Sequence, residues 1–251
     1  MNQLEVIQYM SDFLSVENFQ DYCPNGLQVE GDNREVQKIC LGVSISEEFI
    51  KKAIEINADL IITHHGLFWL KDSQVIRGPM RRKLNLLFDS GIATAAYHLP
   101  LDFHPVLGNN AQLAKRLGLT NIEEFAITPK YAEGLLGTTQ LSGIDQFSQH
   151  VEKVLGRKPT TLAFGPAIIS KVAIITGGAQ RYFLKAIEAG ADIFITGEIS
   201  ESNYAMSQEH GVHFVSAGHY ATERFGIIAL GKHVSHQLRV SWDLIEISNP
   251  I

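Results

Sequence analysis

The sequence predicts an α/β protein of two similar, intertwined lobes built from duplicated βαβ-type units, and three observations carry that expectation. Residues 52–63 (KAIEINADLIIT) and 185–196 (KAIEAGADIFIT) agree at eight of twelve positions, at a constant offset of 133 and without gaps. Around each copy, apolar runs alternate with amphipathic stretches, the order expected of right-handed βαβ units in a parallel or mixed sheet. The run QLRVSWDLIEI (237–247) alternates like a closing strand that can return to the first lobe.

The elements follow in order. KICLGVSIS (38–46) reads as a buried strand ending in a small-residue turn. EEFIKKAIEINA (47–58) places Phe49, Ile50, Ala53, Ile54 and Ile56 near a 3.6-residue period, so it reads as a helix. DLIIT (59–63) is continuously apolar after its first residue, as a strand covered on both faces should be. SGIATAAYH (90–98) supplies a further strand. The rhythm breaks over residues 126–165, which hold Pro129, Gly134, Gly137, Gly143, Gly156, Pro159 and Gly165. A short strand (LLGTTQL, 135–141) and a helix (DQFSQHVEKVLG, 145–156) are expected there. KVAIITGGA (171–179), the second repeat copy and HGVHFVSAGH (210–219) then restore the pattern. A boundary near residue 128 gives a first lobe of 1–127 plus 232–251 and a second of 128–231.

Composition narrows the function classes. Apolar residues make up 45% and charged residues 19%, with a formal charge of −6. No basic cluster is present, so binding led by the phosphate backbone of nucleic acid is not expected. No run approaches the roughly 18–20 apolar residues of a membrane span. The opening MNQLEVIQYMSDFL carries acids and lacks a basic n-region, so it does not read as a secretory signal. The two cysteines, Cys23 and Cys40, have no CxxC spacing. A reduced, cytoplasmic protein is the expectation.

Ligands of parallel α/β sheets bind beyond the carboxyl ends of the strands, and the chemistry-bearing residues fall there. DLIIT runs into His64-His65, and GIATAAY runs into His98-Leu-Pro-Leu-Asp102. In the second half, DIFIT runs into Gly197-Glu198, and VHFVSAG runs into His219-Tyr-Ala-Thr-Glu223. Each half thus ends a strand in His-x3-acid, and i and i+4 share one face of a helical turn. Imidazole and carboxylate donors together suit Zn, Mn, Fe, Ni or Co. We expect two divalent ions on His64, His65, Asp102, His219 and Glu223, since a shared carboxylate can hold two ions side by side. His98 and Glu223 are the candidate proton-moving residues. For His98, a site role and a hydrogen-bonded supporting role are both open; for Glu198, which matches His65 in the repeat, support and a salt bridge are both open. Thr176-Gly177-Gly178-Ala179 reads as a plain tight turn rather than a phosphate cradle, because it lacks the full glycine-rich pattern. Phe68, Trp69 and Tyr220 flank these donors and can either stack a base or pack the pocket wall, with packing favoured.

The motifs Asp21-Tyr-Cys-Pro-Asn25-Gly-Leu-Gln28, ADLIITHHGLFW (58–69), YHLPLDFHPVLGNN (97–110), ITGE (195–198) and SAGHYATE (216–223) occur in this order along nearly the whole chain. The sequence resembles the NIF-three-like family, also called GTP cyclohydrolase 1 type 2 homologues, in the form of its short bacterial YbgI-like members. The resemblance implies a two-lobed α/β fold with a dinuclear metal site between the lobes, and a toroidal homohexamer. It implies that His65 and Asp102 bind one ion, that His64 and His219 bind the other, and that Glu223 bridges them. Longer members insert a further domain between the halves; the stretch from 110 to 170 is too short for it.

Two readings of function follow. One is a metal-dependent hydrolase of a nucleotide or related small molecule. The alternative is a non-catalytic metal-binding scaffold or metal-insertion factor. No residue identifies guanine.

Overall fold

The apolar run beginning at Leu60 lies at the centre of a five-stranded sheet. In the computed structural model, which describes residues 1–251, strand β3 (Leu60–His65) is flanked by β4 (Ala93–Ala96) and β2 (Lys38–Ser44). The edges are β1 (Gly26–Val29) and β11 (Ser241–Leu244), giving the order β1-β4-β3-β2-β11. Only β1 runs antiparallel to its neighbour. Helix α2 (Glu47–Glu55) starts where Ser46 accepts the Phe49 N–H, with Glu47 and Glu48 favouring the positive helix end. It buries Phe49, Ile50 and Ala53 against Cys40 and Ile61 of the sheet and Leu84 and Leu87 of α3 (Gly78–Ser90).

The second sheet has six strands in the order β5-β6-β8-β9-β10-β7. These are β5 (Thr120–Ile127), β6 (Ala132–Thr138), β7 (Thr160–Leu162), β8 (Lys171–Ile174), β9 (Ile193–Thr196) and β10 (His213–Ser216). β8, β9 and β10 are mutually parallel; the other three pair antiparallel. Alternation along β8 sends Val172 and Ile174 to a core with Phe147 and Val151 of α6 (Ile144–Leu155). Ala173 faces the other core, with Phe183 of α7 (Phe183–Glu188), Phe194 and Phe214.

The parallel strands pair in the same register at the repeat offset. Ile39 faces Leu60 and Cys40 faces Ile61; Val172 faces Ile193 and Ala173 faces Phe194. The turns agree too. Asp59 Oδ2 accepts the Gln37 and Lys38 N–H groups, each at 2.9 Å, and Asp192 Oδ2 accepts those of Ser170 and Lys171, each at 2.8 Å.

Contacts divide the chain into Met1–His104 with Gly226–Ser248, and Pro105–Phe225 with Asn249–Ile251. The sequence expectation set the divisions at 127/128 and 231/232. The first division moves for two reasons: Leu113 and Ala114 of helix α5 (Asn109–Arg116) join the core of the second unit, and β5, though charged and largely exposed, pairs with β6 in the second sheet. The strand expected at 135–141 forms as β6, three residues earlier at each end. The closing strand is shorter than the alternation implied, because Gln237 and Leu238 still belong to helix α9 (His219–Leu238). As expected, β11 returns to the first sheet, parallel to β2. No helix is long and apolar enough to cross a membrane. Both cysteines are buried free thiols.

Candidate metal centre

In the first unit, β3 ends in His64 and His65, β4 leads through Tyr97 to His98, and the short helix α4 (Leu99–Asp102) carries Asp102. His64 is fully buried, and its Nδ1 lies 2.9 Å from the Tyr97 carbonyl oxygen. A carbonyl only accepts, so the proton sits on Nδ1 and the Nε2 lone pair is presented. That Nε2 stands 3.5 Å from Asp102 Oδ1. His98 is fixed in the same way, with Nδ1 2.8 Å from Asp21 Oδ1. The loop preceding β1 makes this possible: Asn25 Oδ1 accepts the His98 backbone N–H at 2.7 Å, and Asp21 Oδ2 accepts that of Leu99 at 2.9 Å. Burial alone would raise the Asp21 pKa, but the bonds from His98, Asn25 and Leu99 outweigh it and hold the carboxyl below its usual range. His65 Nδ1 meets Ser44 Oγ at 2.9 Å, because the β2–β3 register sets these residues opposite each other. Potential ligand atoms of His64, His65 and His98 lie within 4.8 Å of one another. The Trp69 and His98 rings meet nearly at right angles, centroids 5.1 Å apart.

In the second unit, β10 leads through Ala217 and Gly218 into α9, whose first turn places His219 and Glu223 on one face. His219 Nδ1 is 2.6 Å from Glu198 Oε1, and Nε2 is 3.0 Å from Glu223 Oε2. Burial disfavours a charged imidazole, yet Glu223 and Glu198 more than reverse that and raise the His219 pKa to about 9. One ring between two carboxylates is a place where positive charge is stabilised.

The turn at Gly177 supports this pair. Its φ is +68°, and a Cβ there would collide with Glu223 Oε1. Gly177 donates its N–H to Thr222 Oγ1 at 3.0 Å, and its carbonyl accepts from Gly197 N and Thr196 Oγ1. Thr176 is held by Asn110 Oδ1 through both its N–H and its hydroxyl. The tight-turn expectation for 176–179 agrees with this geometry: a single 3-10 turn (Gln180–Tyr182) follows, before α7.

The donor chemistry fits a cation of borderline softness. His64 and His98 each have Nδ1 committed to an oxygen that only accepts, which orients the ring and leaves Nε2 as the basic nitrogen, the usual preparation of a histidine ligand; Glu198 orients His219 in the same way, with Nε2 turned to a second carboxylate. Asp102 and Glu223 are 6% and 2% exposed. Carboxylates so deeply placed need positive charge or donors nearby. Within each unit the expected residues come together: His64, His65, His98 and Asp102 in the first, His219 and Glu223 in the second. Phe68 joins the apolar core of the first unit, and Trp69 lies against His98 and His65. Asp21, Asn25, Ser44, Asn110 and Thr222 had no assigned role in the sequence. Asp21, Asn25, Asn110 and Thr222 all lie inside the ordered motifs, which was the available signal; Ser44 carried none.

A family model described as Duf34/NIF3 (NGG1p interacting factor 3) matches residues 1–250. The chain belongs to this family. It is 44% identical over 255 residues to a Haemophilus influenzae protein named GTP cyclohydrolase 1 type 2 homolog, with 100% of each chain covered. The Escherichia coli K12 protein of the same name is 43% identical over 251 residues, again covering 100% of both. Among solved structures, protein ybgI, titled as of unknown function, is 40% identical with a TM-score of 0.95 and full coverage of both chains. A protein from Thermus thermophilus is 31% identical with a TM-score of 0.89, also with full coverage.

Proposed function

We propose that this NIF3-family protein is a metal-dependent hydrolase of a nucleotide or related phosphorylated small molecule, using two divalent ions held by His64, His65, Asp102, His219 and Glu223. The observation that carries the reading is the shared preparation of His64 and His219. Each has Nδ1 bonded to an oxygen acceptor and Nε2 turned toward a buried carboxylate, Asp102 or Glu223. The ligand division implied by the family resemblance is His65 with Asp102, His64 with His219, and Glu223 shared. Zinc, manganese, iron, nickel and cobalt all accept such nitrogen and oxygen donors. When bound, such ions act as Lewis acids and make hydroxide available near neutral pH.

The chain's own residues do the rest. Asp21 and the Tyr97 carbonyl fix the tautomers of His98 and His64, so no ring has to reorient during a reaction. His98 Nε2 and the Glu223 carboxylate are the groups we assign to moving protons. Trp69 screens one side of His98 from water. The matching registers and aspartate caps at the offset of 133 support an internal duplication, with the two donor sets at equivalent strand ends. A cytoplasmic homohexamer ring is part of the proposal.

Elemental analysis after reconstitution should find about two ions per chain, and Glu223→Ala should lose most of both. His64→Ala and Asp102→Ala should abolish turnover in a screen of nucleotides and phosphorylated small molecules, with unchanged circular dichroism. Equal turnover in wild type and both variants would sink the hydrolase reading and leave a metal-binding scaffold. Light scattering should give the mass of six chains; a monomer at micromolar concentration would refute the ring.

A further inference from the structure

Gln180, Arg181, Ser200, Ser202 and Met206 line a cavity of about 250 Å³ within the second unit. We propose that this cavity is a subsite for a phosphoryl group of the substrate, held by the Arg181 guanidinium and the Ser200 and Ser202 hydroxyls. The proposal rests on the metal-hydrolase reading for the reaction it serves, but not for the binding itself.

Charge is the first argument. The lining holds one cation and no carboxylate, in a chain whose formal charge is −6. Glu198 lies behind Gln180 and Gly178, so an anion here is selected by direct contact with the guanidinium rather than through the overall field. Guanidinium offers two parallel N–H groups to a phosphoryl, and hydroxyls add donors that a neutral apolar ligand would leave unused. The Arg181 guanidinium lies over the Tyr182 ring, 5.2 Å from its centroid. Tyr182 is itself anchored by donating its hydroxyl to Glu133 at 2.8 Å. The anchored ring therefore favours one placement of an otherwise exposed guanidinium.

Position is the second argument. Gly178 belongs to the same wall, and a Cβ built there would stand 3.5 Å from His219 Cε1 and 3.6 Å from Glu198 Cδ. Gln180 donates to Glu198 Oε2 at 3.1 Å, and Glu198 is turned to His219. One residue's thickness thus separates the cavity from His219. A substrate can place its phosphoryl in the cavity and an adjoining bond beside His219. Size agrees: at roughly 30 Å³ per water, the cavity holds a phosphoryl with room for the atoms that carry it. Met206 offers an apolar contact for that stem.

The test is calorimetric titration of inorganic phosphate into the metal-loaded full chain, beside Arg181→Gln, Ser202→Ala and Glu223→Ala, each with ion content measured. Arg181 and Ser202 are exposed, so their variants should fold. Arg181→Gln should weaken phosphate about tenfold and Ser202→Ala by less, both with ions retained. Glu223→Ala should lose ions and keep phosphate. Wild-type affinity in Arg181→Gln would overturn the subsite. Affinity lost in Glu223→Ala but kept in Arg181→Gln would mean that phosphate sits on the ions, overturning the subsite while the metal reading stands. Loss in Arg181→Gln together with ions retained by Glu223→Ala would support the subsite and defeat the metal assignment of Glu223.

Discussion

The two units share a backbone plan and differ in what they hang on it. In both, three parallel strands pair at matching positions, and an aspartate at the start of the second strand ties down the start of the first. At the ends of those strands the chemistry diverges. His65 in the first unit is matched by Glu198 in the second, and Ser44 by Gly177. The first unit collects imidazoles braced by Asp21, Ser44 and a carbonyl; the second sets one imidazole between two carboxylates. The lesson is that hydrogen-bond registers and apolar faces tolerate little change, since each fixes many neighbours at once. Residues past the last ladder bond are constrained only by the few groups they meet, so donor type can be exchanged there without disturbing the sheet.

Substitutions at matched positions test how far the two units correspond. The largest effect is expected in the cores. Ile50 and Phe183 are both fully buried and occupy matching places on α2 and α7. Phe183→Ala should cost about 3–5 kcal/mol and Ile50→Ala about 2–5 kcal/mol in denaturant unfolding. A cost under about 1 kcal/mol for either would break the equivalence of the helices.

Next comes the position where the units differ most. Gly177→Ala must place a side chain at φ +68° and against Glu223, so it should cost about 2 kcal/mol or more. Ser44→Ala removes one hydrogen bond to His65 and should cost about 1 kcal/mol. Equal small losses would mean that the turn at 177 yields easily and does not set Glu223.

The aspartate caps should behave alike. Asp59→Ala and Asp192→Ala each orphan two backbone N–H groups, for about 1–2 kcal/mol apiece. Unlike values would show that the shared register conceals different strand anchoring.

The smallest effect is kinetic and reads one unit alone, because Cys23 and Cys40 both lie in the first. Burial pushes their thiols from the ordinary 9.0 up to about 11 and about 12. The folded state therefore holds these protons more tightly than the unfolded chain. The stability this contributes is present below pH 9.0 and is lost as pH rises through 11 and 12. At pH 8 a thiol reagent should label the native protein only through opening. Ile50→Ala should speed labelling more than Phe183→Ala; equal acceleration would show that the units open as one.

Much of this was legible beforehand. The six parallel strands of the two trios were readable because burial on both faces writes itself as a continuous apolar run. The donors were readable because they follow those runs directly. The edge strand β5 was not: with one ladder partner and open solvent, Thr120–Ile127 needs no apolar pattern, and its charges read as loop.

The two strand trios, their common offset and the histidines and acids at the strand ends are written in the local pattern of the chain. Which nitrogen each ring presents is set by folding. That choice depends on partners such as Asp21, 77 residues from His98, and Glu198, 21 residues from His219. Folding also brought Gly177 beneath Glu223 and Arg181 to the rim of a cavity beside His219. Local periodicity records which face of an element is buried, but not which distant polar group meets it. A hydrogen bond between elements is set by how their faces come together, and no single stretch of chain encodes that.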